Sequence, residues 1–310
     1  MSGSFQYGVS LYSYTDDIGT VMGLEDAFYH AADLGATGIE ILGEAHVDAY
    51  PEPSAAWLDR WFALVDQYGL EPTNFASWID THVQRDRDLT AEEGAAQLTL
   101  DLHLAKRLGF RFLRPKFGVI DDELTPHPIW SGAVERVLDL AAKLDVMIIP
   151  EIHAPTPIRH PVVEGYVDFI QRTGTKHFGL LIDTGIFQDR PLPYWQHETP
   201  EMREGAMSFL NGIKVPVEQL AEVIDYVPFI QAKFHHIDEQ LHDHNIPWEK
   251  VVPALKSLGY SGYLSSEYEG VRDPWVAIEQ VRRQHALIRK LEDEFDQRTS
   301  TKSQTEIANA

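Results

Sequence analysis

Three carboxylates in this 310-residue chain stand where runs of apolar side chains end. "VMIIPEIHAP" (146–155) has no polar member until Glu151 and His153. Strand side chains alternate between faces, so these two point one way and Ile152 the other. "FGLLIDTG" ends in Asp183, and "GYLSSEYEG" carries Glu267 and Glu269 on one face. A single acid at a strand end is ordinarily a helix N-cap or half of a salt bridge. Three brought together would repel, and some would have to stay protonated. A divalent cation resolves that conflict. Oxygen-rich ligation with one further N or O donor suits Mn²⁺ best, with Mg²⁺, Co²⁺ or Zn²⁺ as alternatives. The further donor comes from "FIQAKFHHID", where Gln231, Lys233 and His235 share a face. Histidine is the commonest metal ligand in general, and all three stay open at this level. His153 beside Glu151 has the near-neutral pKa that proton transfer needs. Its competing role is to hold a ligand by a hydrogen bond from behind. Glu151 and Glu267 are rival bases.

Such residues must be brought together by the fold, and one junction recurs along the chain. A helix-like stretch closes on a Gly and an apolar stretch of strand length follows. It occurs in "AADLGATGIEIL", "LVDQYGLEPTNFA", "AKRLGFRFLRP", "QRTGTKHFGLLID" and "LKSLGYSGYLSSE", and without the Gly in "AAKLDVMIIPEI" and "VIDYVPFIQAKF". Gly just past a helix is the expected left-handed cap. With "FQYGVSLYSY" these junctions make eight strands alternating with helices. The expectation is a single (β/α)8 barrel over residues 1–295, close to the ~250 residues typical of that fold plus insertions. An open doubly wound sheet would bring a Gly-rich phosphate loop after its first strand, and "SLYSYTDDIGT" is not one. Residues 296–310 are polar and are expected to be a disordered tail. In a barrel the C-terminal strand ends carry the chemistry, which is where Glu151, Asp183 and Glu267 fall, with Gln231, Lys233 and His235 on the strand between the last two.

Composition narrows the partners. Lys and Arg number 26 against 48 Asp and Glu, a formal charge of −22. Such a chain repels phosphate backbones, so nucleic acid is not expected as a partner. No apolar run approaches the ~20 residues of a membrane span. The start lacks a basic and apolar leader, and there is no cysteine, which together point to the cytoplasm.

The order Glu, Asp, Gln or His, Glu on the last four strands resembles the xylose isomerase-like barrels of the sugar isomerase and epimerase superfamily. "GVSLYSY", "GATGIEIL", "EPTNFASW", "FGLLIDTG" and "GYLSSEYEG" are similar to family segments, and the resemblance runs over residues 5–290. In its register the seventh-strand ligand is Gln231, with His235 as the alternative. "QAKF", "IPW" and "SSEYEG" look closest to the catalytic α subunits of C-glycoside deglycosidases, which work with a small β subunit. The resemblance implies divalent-metal enolate chemistry on a keto sugar. Its best expression is a lyase that cleaves the C1–aglycone bond of 3-keto-C-glycosides, and the alternative is a ketose 3-epimerase or aldose-ketose isomerase. His153, Glu151 and Glu267 would be catalytic. Lys116, Arg114, Lys233, His235 and Glu44 would bind substrate. Residues 186–214, "IFQDRPLPYWQHETPEMREGAMSFLNGIK", form an insertion after the sixth strand, longer than the 2 to 6 residues usual for such a connection. Its Tyr194 and Trp195 are expected to wall an aromatic aglycone, or the segment to dock a partner chain in an oligomer.

Overall fold

The structure, a computed structural model, describes residues 4–81, 87–117, 126–190 and 215–308, with side chains as far as 301. Nine strands form one parallel sheet: β1 (Gln6–Ser10), β2 (Gly38–Leu42), β3 (Glu71–Ile79), β4 (Phe112–Phe117), β5 (Met147–Ile148), β6 (Glu151–Ile152), β7 (Leu181–Asp183), β8 (Phe229–Phe234) and β9 (Tyr263–Tyr268). Their order is β5-β4-β3-β2-β1-β9-β8-β7-β6. The two end strands are halves of one barrel strand. Pro150, which has no N–H to give a ladder, separates them. Met147 and Ile148 pair with β4, whereas Glu151 and Ile152 pair with β7. A bridge from Ile148 to Phe178 and the bond from the Leu181 amide to the Pro150 carbonyl (3.0 Å) complete the ring. The expected eight-stranded barrel is therefore present, with its fifth strand broken in two.

The helices end as the junctions require. Gly35, Gly69, Gly109, Gly174 and Gly259 all have positive φ, and Asp145 takes the same left-handed turn (φ 53°) where the Gly is lacking. The helix Ala91–Leu108 starts with a capping box, Thr90 and Glu93 each accepting the other's backbone amide. Outside the ring, Trp61 is fully buried among Phe28, Trp57 and Phe110 and donates its indole N–H to the Leu108 carbonyl (3.0 Å).

Inside the ring the side chains change character from bottom to top. Ile149, Leu181, Phe229 and Tyr263, with Phe112 and Met147 against them, form a separate apolar cluster. Two residues further along their strands the inward positions are polar: Arg114 after Phe112, Asp183 after Leu181, Gln231 after Phe229 and Ser265 after Tyr263. Another step brings Lys116, Lys233 and Glu267. Strand alternation thus builds an apolar floor under a charged layer.

The last helix runs from Val276 to Ala308, so the polar residues after 295, expected as a disordered tail, continue it as helix. It is fastened by Lys256, whose buried ammonium lies 3.0 Å from Glu292 and 3.2 Å from Asp296. Glu292 also accepts the Phe5 amide (3.0 Å) and the Tyr7 hydroxyl (2.8 Å).

Candidate metal centre

An open cavity of about 690 Å³, counting its mouth, lies over the charged layer. Tyr12, Glu40, Trp78, Arg114, Lys116, Glu151, His153, Lys233, Glu267 and Glu269 line it. Below it, Glu151, Asp183 and Glu267 each bring an oxygen within 4.8 Å of the other two. Among the described residues they are the one set of three acids or histidines so close, and His235 is not in it.

Lys233 sits in their midst. Its Nζ lies 2.8 Å from Asp183 Oδ2, 3.1 Å from Glu267 Oε2 and 3.1 Å from Glu269 Oε1. The ladder places it there, because Lys233 pairs with Glu267 in register. Burial pushes the Asp183 carboxyl up to about 7, with Glu151 adding to the rise and Lys233 opposing it. Glu267 rises to about 8, through burial and through Glu269, Glu151 and Asp183, again against Lys233. Glu151 goes the other way. Burial raises it, but Arg114, His153, Lys233 and Lys116 together hold it at about 2. Arg114, the strongest of these, has Nη2 3.5 Å from Glu151 Oε2. With all groups ionised, Glu40, Glu151, Asp183, Glu267 and Glu269 outnumber Arg114, Lys116 and Lys233 by two charges, the charge of one divalent ion.

Gln231 is fully buried. Its Nε2 donates to Glu40 Oε1 (2.5 Å) and to Glu267 Oε1 (3.3 Å), and its Oε1 has no hydrogen-bond partner. An unmatched buried carbonyl costs roughly 1–3 kcal/mol, which a cation beside the three carboxylates would offset. Three carboxylates and an amide oxygen are a donor set for a hard divalent cation. The residues therefore fit such an ion.

His153 shares the cavity. Its Nδ1 is 2.5 Å from the Ala154 carbonyl, which puts the ring proton on Nδ1 and makes Nε2 the basic nitrogen. Burial lowers its pKa, partly countered by Glu151, so the ring is a neutral base. Lys116 lies over the Trp78 ring (4.3 Å), and Trp78 is 44% exposed, a half-open aromatic face beside the charges. His235 follows β8 and its Nδ1 is 3.0 Å from the Glu269 carbonyl. Glu44, an exposed residue of the helix Gly43–His46, accepts the Trp78 amide (2.7 Å) and is not among the cavity residues. Tyr194 and Trp195 lie outside the described residues. The described start of their segment is stitched down by Lys250 to Asp189 (2.6 Å) and by Arg190 to the Asp243 carbonyl (3.0 Å).

A family model described as xylose isomerase-like TIM barrel matches residues 28–291. The chain belongs to that family. This xylose isomerase-like barrel is 27% identical to the 3'-dehydrocarminate deglycosidase alpha subunit of a Microbacterium species, over 93% of the chain and 96% of the relative. It is 26% identical to a C-glycoside deglycosidase alpha subunit of Arthrobacter globiformis, over 98% and 97%. Among solved structures, L-ribulose 3-epimerase superposes with a TM-score of 0.69 at 14% identity, covering 96% of this chain and 98% of that one. Relatives and structural neighbours alike are enzymes. No helix among the described residues is long and apolar enough to cross a membrane.

Two site residues escaped the sequence reading. Glu269 was visible as a neighbour of Glu267 on one face, without a role. Glu40 stands inside "GIEIL", and an acid within a buried strand was the one signal for it. It is 1% exposed and accepts from Asn74 Nδ2 (3.0 Å) and Ser265 Oγ (2.8 Å) as well as Gln231. Burial and then Glu267 push it up to about 8. The second cause falls away once the charge of Glu267 is neutralised.

Proposed function

We propose that the chain is the catalytic subunit of a divalent-metal-dependent lyase that cleaves the C1–aglycone bond of 3-keto-C-glycosides. The observation that carries this is a half-buried His153, its Nδ1 turned to the Ala154 carbonyl, beside a three-carboxylate group at the floor of one cavity. The near full-length similarity to deglycosidase alpha subunits supports it. Glu151, Asp183, Gln231 and Glu267 would hold the ion, Mn²⁺ first and Mg²⁺, Co²⁺ or Zn²⁺ as substitutes. Such an ion supplies Lewis acidity toward a sugar carbonyl and the adjacent hydroxyl.

His153 Nε2 takes the proton from C2, and the C–H pair becomes an enolate across C2 and C3. The pair then forms a C1–C2 double bond as the bond from C1 to the aromatic carbon breaks. That carbon receives the departing pair and a proton returned by the imidazolium. One proton leaves C2 and one arrives on the aglycone, so no co-reactant is consumed. Lys116, Arg114 and Lys233 bind sugar oxygens and offset the charge of the enolate. Trp78, with Lys116 held over its ring, offers a face on which a sugar or an arene stacks. His235 and Glu44 lie further out and bear on substrate selection. The relatives' names as alpha subunits support a small partner subunit, with the segment 191–214, including Tyr194 and Trp195, as its contact.

The test is incubation of the purified protein with 3-keto-C-glycosides, 3-keto-O-glycosides and free ketoses. It is run with and without a co-expressed small subunit, after chelation and after Mn²⁺ is restored. Metal-dependent release of the aglycone from the C-glycoside is expected. Epimerisation of free ketoses without aglycone release would replace the lyase with a 3-epimerase. Replacing 191–214 by a short Gly-Ser link should spare metal binding and abolish co-elution with the small subunit.

A further inference from the structure

The structure assigns to Glu40 the role of holding the Gln231 amide by its NH2, which leaves the buried carbonyl, without a hydrogen-bond partner, as the atom open to a cation. This rests on the ligand set proposed above and names a residue outside it. An amide ligand, unlike a histidine, presents a donor and an acceptor of nearly equal size, and a half-turn of its last torsion exchanges them. Something must decide between the two, because an NH2 turned inward cannot ligate a cation. Here the NH2 lies 2.5 Å from Glu40 Oε1 and 3.3 Å from Glu267 Oε1. Reversed, the carbonyl would meet two carboxylates. Glu267 alone does not fix the choice, since its oxygens are themselves in the group that would bind the ion. Glu40 is not in that group and stays free to hold the NH2 when Glu267 is engaged.

Glu40 is itself immobilised. Asn74 donates to the oxygen that Gln231 uses, and Ser265 donates to the other (3.0 and 2.8 Å). All four residues are at most 1% exposed, so water does not compete for these bonds. The three partners come from β3, β8 and β9, so Glu40 on β2 reaches across the barrel interior to Gln231. This is the arrangement in which a carboxylate behind a ligand sets its orientation, and loss of such a partner typically weakens metal affinity 10–100-fold.

The experiment is a double-mutant cycle read by Mn²⁺ affinity, measured calorimetrically on the full chain without substrate. Glu40→Gln offers Gln231 an acceptor or a donor alike and should weaken Mn²⁺ binding about tenfold. Gln231→Leu should weaken it by at least as much. In the Gln231→Leu background, Glu40→Gln should have no further effect. An additive result would mean that Glu40 acts only as a distant charge, and it would overturn the inference. Unchanged affinity in Glu40→Gln alone, with Gln231→Leu impaired, would overturn it too while leaving the ligand set standing. Unchanged affinity in Gln231→Leu would remove the ligand set itself. Should Glu40→Gln fail to fold, Ser265→Ala frees one oxygen of Glu40. It should weaken Mn²⁺ binding about threefold, a fraction of the effect of losing the partner outright, and should again do nothing further beside Gln231→Leu.

Discussion

Replacing Lys233 with Met should make the metal-free protein less stable and its hold on Mn²⁺ stronger. The ammonium touches three carboxylates at 2.8, 3.1 and 3.1 Å and its side chain is 15% exposed. At about 3 Å and an effective dielectric near 20, each contact is worth on the order of 5 kcal/mol before desolvation is subtracted. What removal of one member of a buried ion cluster costs is smaller, about 3–5 kcal/mol. For a chain of this length that lowers Tm by roughly 6–10 °C, at about 2 °C per kcal/mol. The loss should be largest at high pH, because Asp183 and Glu267 escape part of it by keeping protons. For the metal the sign reverses. The ammonium and the ion share the same oxygens, and removing a like charge worth about 1.4 kcal/mol tightens binding tenfold. Thermal melts in chelator and in Mn²⁺, with a calorimetric titration, read both effects. If the variant melts within about 1 °C of the parent and binds Mn²⁺ equally, Lys233 is not balancing the acidic cluster and the reasoning fails.

Three further outcomes follow from the same geometry. Glu267→Gln should weaken Mn²⁺ binding at least 100-fold and abolish turnover; full metal occupancy with full activity would remove Glu267 from the ligands. His153→Ala should change Mn²⁺ affinity less than about threefold while turnover falls 10²–10⁴-fold, and an unchanged rate would pass the base role to a carboxylate. Asp183 at about 7 and Glu267 at about 8 hold protons in the folded, metal-free chain that an unfolded chain releases near pH 4, against the surrounding Glu151, Glu269, Arg114 and Lys233. The folded state binds more protons in that window, so metal-free stability should fall as pH rises from about 4 to 8, and Mn²⁺ affinity should climb over the same range. Melts and titrations at pH 5, 6, 7 and 8 check both slopes.

The barrel was legible because its signal is local and repeated. Each junction carries its own cap, and the cap appears as a positive φ at Gly35, Gly69, Gly109, Gly174 and Gly259. The break in the fifth strand was less so, because "VMIIPEI" reads as one apolar run and Pro150 alone marks the gap. Alternation placed Glu151, Asp183 and Glu267 on the inner face, and the three do converge. It also placed Gln231, Lys233 and His235 on one face, but a face is not a depth. Only pairing with β9 puts Lys233 level with Glu267 and His235 beyond the strand. Glu40 showed only as an acid inside an apolar strand, and its role was hidden for a different reason. Its partners Asn74, Gln231 and Ser265 are 34, 191 and 225 residues away, and nothing within five residues of "GIEIL" hints at them.

The divided fifth strand has a mechanical meaning. In the sheet order β6 has β7 alone as a neighbour, so the segment that presents Glu151 and His153 is laddered on one side only. Across the gap, β4 above the floor is paired with β3 alone, whereas β1, β2, β3, β8 and β9 have a strand on either flank, and a wall so held fixes its side chains to a single point. A wall joined along one seam can tilt about it. The imidazole proposed as base must serve two carbons in turn, taking a proton from one and delivering it to another. Tilt about that seam would carry Glu151 along with the ring, while Asp183 and Glu267 stand on strands with a neighbour on each side. The amide of His153 should accordingly exchange with solvent deuterium sooner than that of Gln231.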